Sequence, residues 1–178
     1  MDLGRTSVTS FQQVTNTLER EYPDQALTSE EEQVLFYQLQ SLGLIAHTNA
    51  VAYQYLIDGT EPSFWTAKRR WMSSWGNWSD GALANYAIQA LGLTKRSDVV
   101  ELLEKLASRE DTVRPQRQLL RAAIGTAIFY HQYRMTHDDN EVQKEIIKHG
   151  EREWELYQEW KLTAEGKRWT AWFRKESR

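Results

Sequence analysis

Signals that begin and end α-helices recur along the chain, and they constrain its fold more than any other feature. The segment Thr28-Ser-Glu-Glu31 fits a capping box, in which a hydroxyl side chain and a glutamate three residues later satisfy exposed backbone N–H groups. Pro62 and Pro115 stand where first helical residues are expected, because proline loses no hydrogen bond there. No segment shows the strict apolar and polar alternation of a half-buried strand. The sequence therefore predicts an all-α protein.

Apolar spacing and capping residues together predict a compact bundle of about eight helices in a single domain, residues 1–178. Helix 115–136 is apolar almost all round, so we expect it to be the central, most buried element. Residues 138–178 are predicted to form a C-terminal helical arm that contains one long helix. The predicted helices cover residues 9–21, 29–42, 48–57, 61–75, 80–91, 97–108, 115–136, 140–163 and 166–174, the last being short.

One segment of the chain recurs, which raises the question of an internal duplication. Gln40-Ser-Leu-Gly-Leu44 is repeated 49 residues later as Gln89-Ala-Leu-Gly-Leu93. In each copy glycine is predicted to end a helix in the left-handed conformation, and a hydroxyl residue, Thr48 or Ser97, is predicted to cap the next helix. A duplicated three-helix unit, residues 28–77 and 79–130, and a coincidence of common Leu-Gly-Leu helix ends explain the match equally well.

The composition excludes several classes of site. With no cysteine, the chain has no disulfide, no thiolate chemistry and no cysteine-ligated metal. The first residues carry no signal-peptide pattern, and the longest near-apolar run, residues 122–130, is too short to span a bilayer. We therefore expect a soluble, cytoplasmic protein that needs no membrane and no cofactor.

The net charge of −3 conceals strong segregation along the chain. Residues 1–64 hold nine acids and two bases, and residues 135–160 carry a net charge of −5. Three basic segments, residues 65–78, 114–134 and 161–178, carry +3, +4 and +4. If these segments meet in space they attract a polyanion, so one hypothesis is a protein that contacts RNA or DNA. Its contact residues would be Lys68, Arg69, Arg70, Arg114, Arg117 and Arg121.

Eight tryptophans form the second unusual feature, and four of them lie between residues 65 and 78. Bases interleaved with aromatic residues are typical of surfaces that stack nucleobases. On a helix, however, Trp71 and Trp75 fall on one apolar stripe, which favours core packing. The tryptophans at the stripe's edge, Trp65 and Trp78, are predicted to be surface aromatics that dock a partner. Trp169 and Trp172 lie in the basic C-terminal segment, which is equally well explained as a clasp onto the body of the protein or as an arm that orders on a partner; as an arm it would dock the partner through both tryptophans.

Catalytic motifs are missing from the sequence. It contains no Gly-rich phosphate loop, no Gly-x-Ser-x-Gly elbow and no His-Glu-x-x-His pair. His131 lies in the apolar arc of its helix, where a hydrogen-bonded core histidine is expected. Glu141, Glu145 and His149 share one helical flank, and Glu145 with His149 gives the weak candidate for a metal site.

These observations favour a non-enzymatic helical adaptor that docks a protein partner through aromatic and basic surface segments. The first alternative is a small helical subunit of a nucleoprotein complex, for example an RNA-guided CRISPR effector; its size, helicity and segregated arginines suit that role, although no diagnostic motif is present. The second alternative is a helical metal-dependent enzyme. The sequence leaves the oligomeric state open.

Overall fold

The computed structural model describes residues 11–16, 18, 29–68, 79–108, 114–147 and 150–175. Across these residues the regular structure is helical and contains no strand, which confirms the all-α prediction. Helix α1 covers residues 11–16. The later elements are α2 (Ser29–Ile45), α3 (Ala50–Asp58), α4 (Pro62–Lys68), α5 (Ser79–Gly92), α6 (Val99–Ala107), α7 (Arg114–Thr136), α8 (Asp139–Val142), a π-helical segment (Gln143–Ile147), α9 (Gly150–Leu162) and α10 (Ala164–Lys175).

The chain divides into two compact units, Met1–Thr94 and Lys95–Arg178, called unit 1 and unit 2 below. The boundary between them falls inside the second copy of the predicted repeat, residues 79–130. Lys95, the first residue of unit 2, has a left-handed backbone conformation with φ of 60°.

In unit 1, helix α5 is the central element, because α2, α3 and α4 all pack against it. Leu35, Leu39 and Leu42 of α2 and Leu83 and Leu91 of α5 are fully buried or nearly so. Their spacing of three, four and eight residues places them on one face of each helix. This apolar seam is the core of the unit.

The glycine in the first copy of the recurrent segment has a different role from the predicted one. Gly43 lies inside α2, which continues to Ile45, so the prediction that Gly43 is a left-handed cap is wrong. A Cβ atom at Gly43 would overlap the carbonyl oxygen of Ala90 and would lie 3.0 Å from the Cβ of Leu93. Glycine is therefore needed here because the backbones of α2 and α5 approach closely.

The predicted hydroxyl caps are also wrong. The side chain of Asn49, not that of Thr48, accepts hydrogen bonds from the backbone N–H groups of Val51 and Ala52 at the start of α3. At the start of α6 the capping position is held by Asp98 rather than Ser97, and its side chain makes no capping hydrogen bond. In each copy the cap thus lies one residue later than predicted.

In unit 2, helix α7 contacts α6, α8, α9 and α10, which confirms its central position within that unit. Seven of the eight residues from Ala123 to Tyr130 are buried, as expected for a helix that is apolar on nearly every side. Further along the same helix, Arg134 is buried too, with its side chain only 1% exposed. The core of unit 2 therefore includes a charged group.

The single helix predicted over residues 140–163 is interrupted. Asp138 caps α8 in a full capping box with Glu141, and the π-helical segment follows α8 directly. Helix α9 then begins at Gly150. A π-helical turn holds roughly one residue more than an α-helical turn, so the predicted α-helical periodicity does not hold across residues 143–147.

Among the residues that the structure describes, no helix combines the length and the apolar character required to cross a membrane.

Candidate partner-binding groove

Two of the four predicted surface tryptophans are buried. The Trp65 side chain is 0% exposed, and its indole N–H donates a hydrogen bond to the carbonyl oxygen of Gly59 at 2.6 Å. Trp169 is 3% exposed, and its indole N–H donates to Glu165 at 3.1 Å. The prediction that these two are surface aromatics is wrong, because each indole is buried and its N–H is satisfied within its own unit.

The other two predicted anchors cannot be placed in the same way. Trp78, like Trp71 and Trp75, lies outside the described residues. Trp172 belongs to α10, but its side chain is outside the described part of the structure.

The predicted nucleic-acid contacts also lie mostly outside the described side chains. Arg69 and Arg70 are not among the described residues, and for Lys68, Arg114 and Arg117 only the helical backbone is described. Arg121 is half-buried, and its Nε and one terminal nitrogen have no contact with solvent. Its guanidinium is therefore not an open phosphate contact.

The structure adds no further metal ligands, among the described residues, to the candidate pair Glu145 and His149. His149 lies outside the described residues, and the described residues contain no group of three His, Asp or Glu side chains arranged to hold a metal ion. The carboxylate of Glu145 instead pairs with Lys144 at 3.3 Å and with Arg152 at 3.7 Å.

His131 is buried, as predicted, but its environment is not the expected one. Its Nδ1 atom is buried and makes no hydrogen bond to any described residue. Burial lowers the pKa of His131 below its usual value of 6.5, since the charged ring is poorly solvated there.

A groove on unit 2 lies between α7 and α9, and its apolar end is lined by aromatic rings. This end has a volume of about 360 Å³ and is lined by Phe129, Tyr133, Leu156 and Trp160, with Gln132, Thr136, Glu159 and Thr163 at its polar edges. Phe129 packs against Tyr133 and Trp160 with ring centres 5.9 Å apart in both pairs. The indole N–H of Trp160 donates to the side-chain oxygen of Gln132, which fixes the ring across the two helices.

The other end of the groove is charged. It has a volume of about 580 Å³ and is lined by Tyr133, His137, Glu141, Lys144, Glu145, Arg152 and Leu156. Tyr133 and Leu156 line both ends, so the two ends are neighbours on the surface of unit 2. The imidazole of His137 stacks on the ring of Tyr133 at 3.8 Å, and its Nδ1 lies 2.9 Å from the backbone oxygen of Tyr133. The stacked rings of Tyr133 and His137 thus lie at the C-terminal end of α7, in the lining of the groove.

Carboxylates dominate the field at this end. The pKa of Tyr133 is raised, first by burial and then by the charges of Glu145 and Glu141, while Arg152 opposes the shift. Arg152 itself is engaged by Glu155 at 2.8 Å and by Glu145 at 3.7 Å. A phenol beside two carboxylates releases its proton less readily, which is the response expected in a negative environment.

Two partly buried polar contacts of α7 hold the elements that form the groove. The Tyr130 hydroxyl donates to Glu153 of α9 at 2.7 Å, and the Arg134 guanidinium pairs with Asp139 of α8 at 3.2 Å. Burial raises the pKa of Glu153, and the hydrogen bond from Tyr130 opposes that shift. These contacts fix α8 and α9 against α7 in addition to the apolar packing.

Trp154, an exposed tryptophan, lies on a different side of α9. It is 61% exposed, and the ammonium of Lys161 lies 5.5 Å from its ring centre. Leu156 and Thr163, which line the groove, stand roughly half a turn away from Trp154 around the helix. Trp154 and the groove are therefore separate surface features.

Neither feature is readable from one α-helical register over residues 140–163. Such a register places Trp154 on the apolar face of Ile146 and Ile147, which are buried, whereas Trp154 is 61% exposed. Residues 143–147 are π-helical, so a single α-helical periodicity does not describe this part of the chain. The capping signal Asp138 to Glu141 is readable in the sequence and marks a new helix start, but nothing in the residues marks the π-helical turn.

Comparison with known proteins adds no relative: no family profile, no curated protein and no solved structure matches this chain.

Proposed function

We propose that this chain is a non-enzymatic helical protein that binds a segment of a protein partner in the α7–α9 groove of unit 2. The observation that carries the proposal is the groove itself, a concave surface with aromatic rings at one end and charged side chains at the other. Interfaces combine these two elements, because aromatic surfaces supply most of the binding energy and polar groups at the rim supply specificity.

The charge of this region favours protein over nucleic acid as the occupant. Residues 138–159 hold eight acidic and three basic side chains. Nucleic acid binds mainly through phosphates, which need lysine or arginine and are repelled by carboxylates. A partner that brings its own charged and apolar side chains meets no such obstacle.

The test blocks the groove without disturbing the core beneath it. Thr136 is exposed and lines the apolar end from α7, so Thr136→Trp would fill the space. Glu159→Trp fills the same space from α9, where the Glu159 side chain is 66% exposed. The tagged full chain and each variant are purified from the native host after cross-linking, and the bound proteins are compared by quantitative mass spectrometry. We expect both variants to lose the same protein that the unmodified chain captures.

The matched control is Met135→Trp. Met135 is the neighbour of Thr136, is 57% exposed and lies outside the groove lining, so this variant adds an equal bulk to the same helix. It is expected to retain the partner. Trp154→Ala reports on the other face of α9 and is also expected to retain it. The proposal is wrong if the groove variants capture the same proteins as the unmodified chain, if only Trp154→Ala loses them, or if the captured material is RNA or DNA.

A further inference from the structure

The shape of the groove favours a helical occupant. Both walls are helices whose backbone groups are already hydrogen-bonded along α7 and α9, so the groove offers no strand edge to pair with an extended peptide. A helix satisfies its own backbone and presents side chains only. Along α7 the lining runs from Phe129 to His137, about 12 Å at 1.5 Å per residue. That length matches roughly two turns of a docked helix.

The apolar end accepts a side chain of limited size. Its volume of about 360 Å³ is bounded by the rings of Phe129 and Trp160 and by Leu156. One or two aliphatic or aromatic side chains from successive turns of a helix fit such a space. These are the i and i+3 or i+4 anchors through which amphipathic helices bind grooves.

The charged end discriminates between partners. Three carboxylates line the groove, those of Glu141, Glu145 and Glu159, and its two bases are Lys144 and Arg152. Arg152 pairs with Glu155 and Glu145 and lies 4.0 Å from Glu159, and Lys144 lies 3.3 Å from Glu145. The bases are therefore already matched by carboxylates within the chain, and acids remain in excess. An incoming lysine or arginine is attracted and an incoming carboxylate is repelled.

We infer that the occupant is a short basic amphipathic helix of a protein partner, with its apolar side chains against the half-buried Tyr133, Leu156 and Trp160 and its lysines or arginines toward the exposed Glu141 and Glu159. The inference rests on the proposed function, since it specifies which partner the groove selects.

The experiment selects ligands without choosing them in advance. Phage-displayed random peptides of about 16 residues, roughly four helical turns, are panned against the folded full-length chain. We expect the enriched peptides to carry net positive charge with apolar residues at i and i+3 or i+4. Synthetic copies of the strongest binders are then titrated by fluorescence anisotropy. Their helicity is expected to rise on binding, as measured by circular dichroism.

Charge variants test the role of the carboxylates. Glu159→Lys is expected to weaken binding of the basic peptides by about two- to tenfold, a range set by exposed ion pairs. Glu104→Lys is the matched control, because Glu104 is an exposed acid on α6 outside the groove and the change in net charge is identical. Thr136→Trp is expected to abolish binding, and Met135→Trp is expected to preserve it.

Several results would overturn the inference. Enriched peptides that are neutral or acidic, an equal effect of Glu159→Lys and Glu104→Lys, or bound peptides that stay extended would each do so. So would sedimentation showing a dimer that Thr136→Trp dissociates, because a second copy of this chain would then fill the groove. If the host partner is lost in Thr136→Trp but no basic peptide binds, the inference fails and the proposed function stands. If Thr136→Trp leaves the host partners unchanged, the proposed function itself has failed.

Discussion

Replacing Trp65 with alanine is expected to destabilise unit 1 strongly, although this residue belongs to a segment whose composition resembles a binding surface. The indole is fully buried, donates a hydrogen bond to Gly59 at 2.6 Å and meets the rings of Tyr55 and Phe64 at nearly right angles. A buried aromatic side chain removes about 150–250 Å² from water, worth roughly 4–6 kcal/mol at about 25 cal/mol per Å². Measured truncations of buried aromatics to alanine give about 3–5 kcal/mol, because alanine retains part of that burial.

We therefore expect Trp65→Ala to lower the free energy of unfolding by about 3–5 kcal/mol, a large fraction of what a domain has. Trp65→Phe keeps most of the ring but leaves the Gly59 carbonyl without the indole donor, so it is expected to lose about 1–3 kcal/mol. Urea unfolding followed by circular dichroism gives both values. Hydrogen exchange of α4 and α5, read by mass spectrometry, assigns the loss to unit 1.

Trp154→Ala is the comparison variant for this experiment. Trp154 is 61% exposed, so its truncation is expected to change the free energy of unfolding by less than about 1 kcal/mol. The reasoning is refuted if Trp65→Ala loses less than about 1 kcal/mol, or if Trp65→Ala and Trp154→Ala lose equal amounts.

Three further predictions concern packing and buried polar groups. Gly43→Ala is expected to lose about 1–3 kcal/mol because its methyl group would overlap the Ala90 carbonyl oxygen, and urea unfolding that matches the unmodified chain would exclude the close approach. Tyr130→Phe is expected to lose about 1–3 kcal/mol near neutral pH because it removes the donor to the half-buried Glu153 carboxylate; a smaller loss where Glu153 is protonated is the expected signature. Burial lowers the pKa of His131 in the folded chain. Below about pH 6.5 the unfolded chain therefore binds this proton more readily than the folded chain does, and the free energy of unfolding falls as the pH falls. Between about pH 7 and about pH 5, His131→Gln should therefore lose less stability than the unmodified chain does. An equal loss in the two proteins would contradict that assignment.

Local signals in the residues predicted much of the helical framework. The α3 start falls two residues from its predicted position, and α4 begins at Pro62, one residue from it. The helix end predicted at Gly43 is wrong, because glycine serves both as a left-handed cap and at points where two helix backbones approach closely. Only the position of α5 beside α2 distinguishes the two roles.

The functional surface was much less predictable. Composition pointed to the tryptophans, yet among the tryptophan side chains that the structure describes the exposed one is Trp154, while Trp65 and Trp169 lie in the cores of their units. The groove depends on residues from α7, α8, the π-helical segment and α9, which are far apart in the sequence or separated by a change of register. No periodicity within a single helix can place them together.

The sequence by itself determined that the chain is helical, that it contains no cysteine chemistry and that its acidic and basic residues are segregated. Capping, proline and apolar spacing act over a few residues, so they are readable without knowledge of the fold. Tertiary structure alone decided which aromatic residues are buried, where Gly43 is needed and that a groove lies between α7 and α9. Burial depends on which helix faces are paired, and one α-helical periodicity over residues 140–163 cannot give it because residues 143–147 are π-helical.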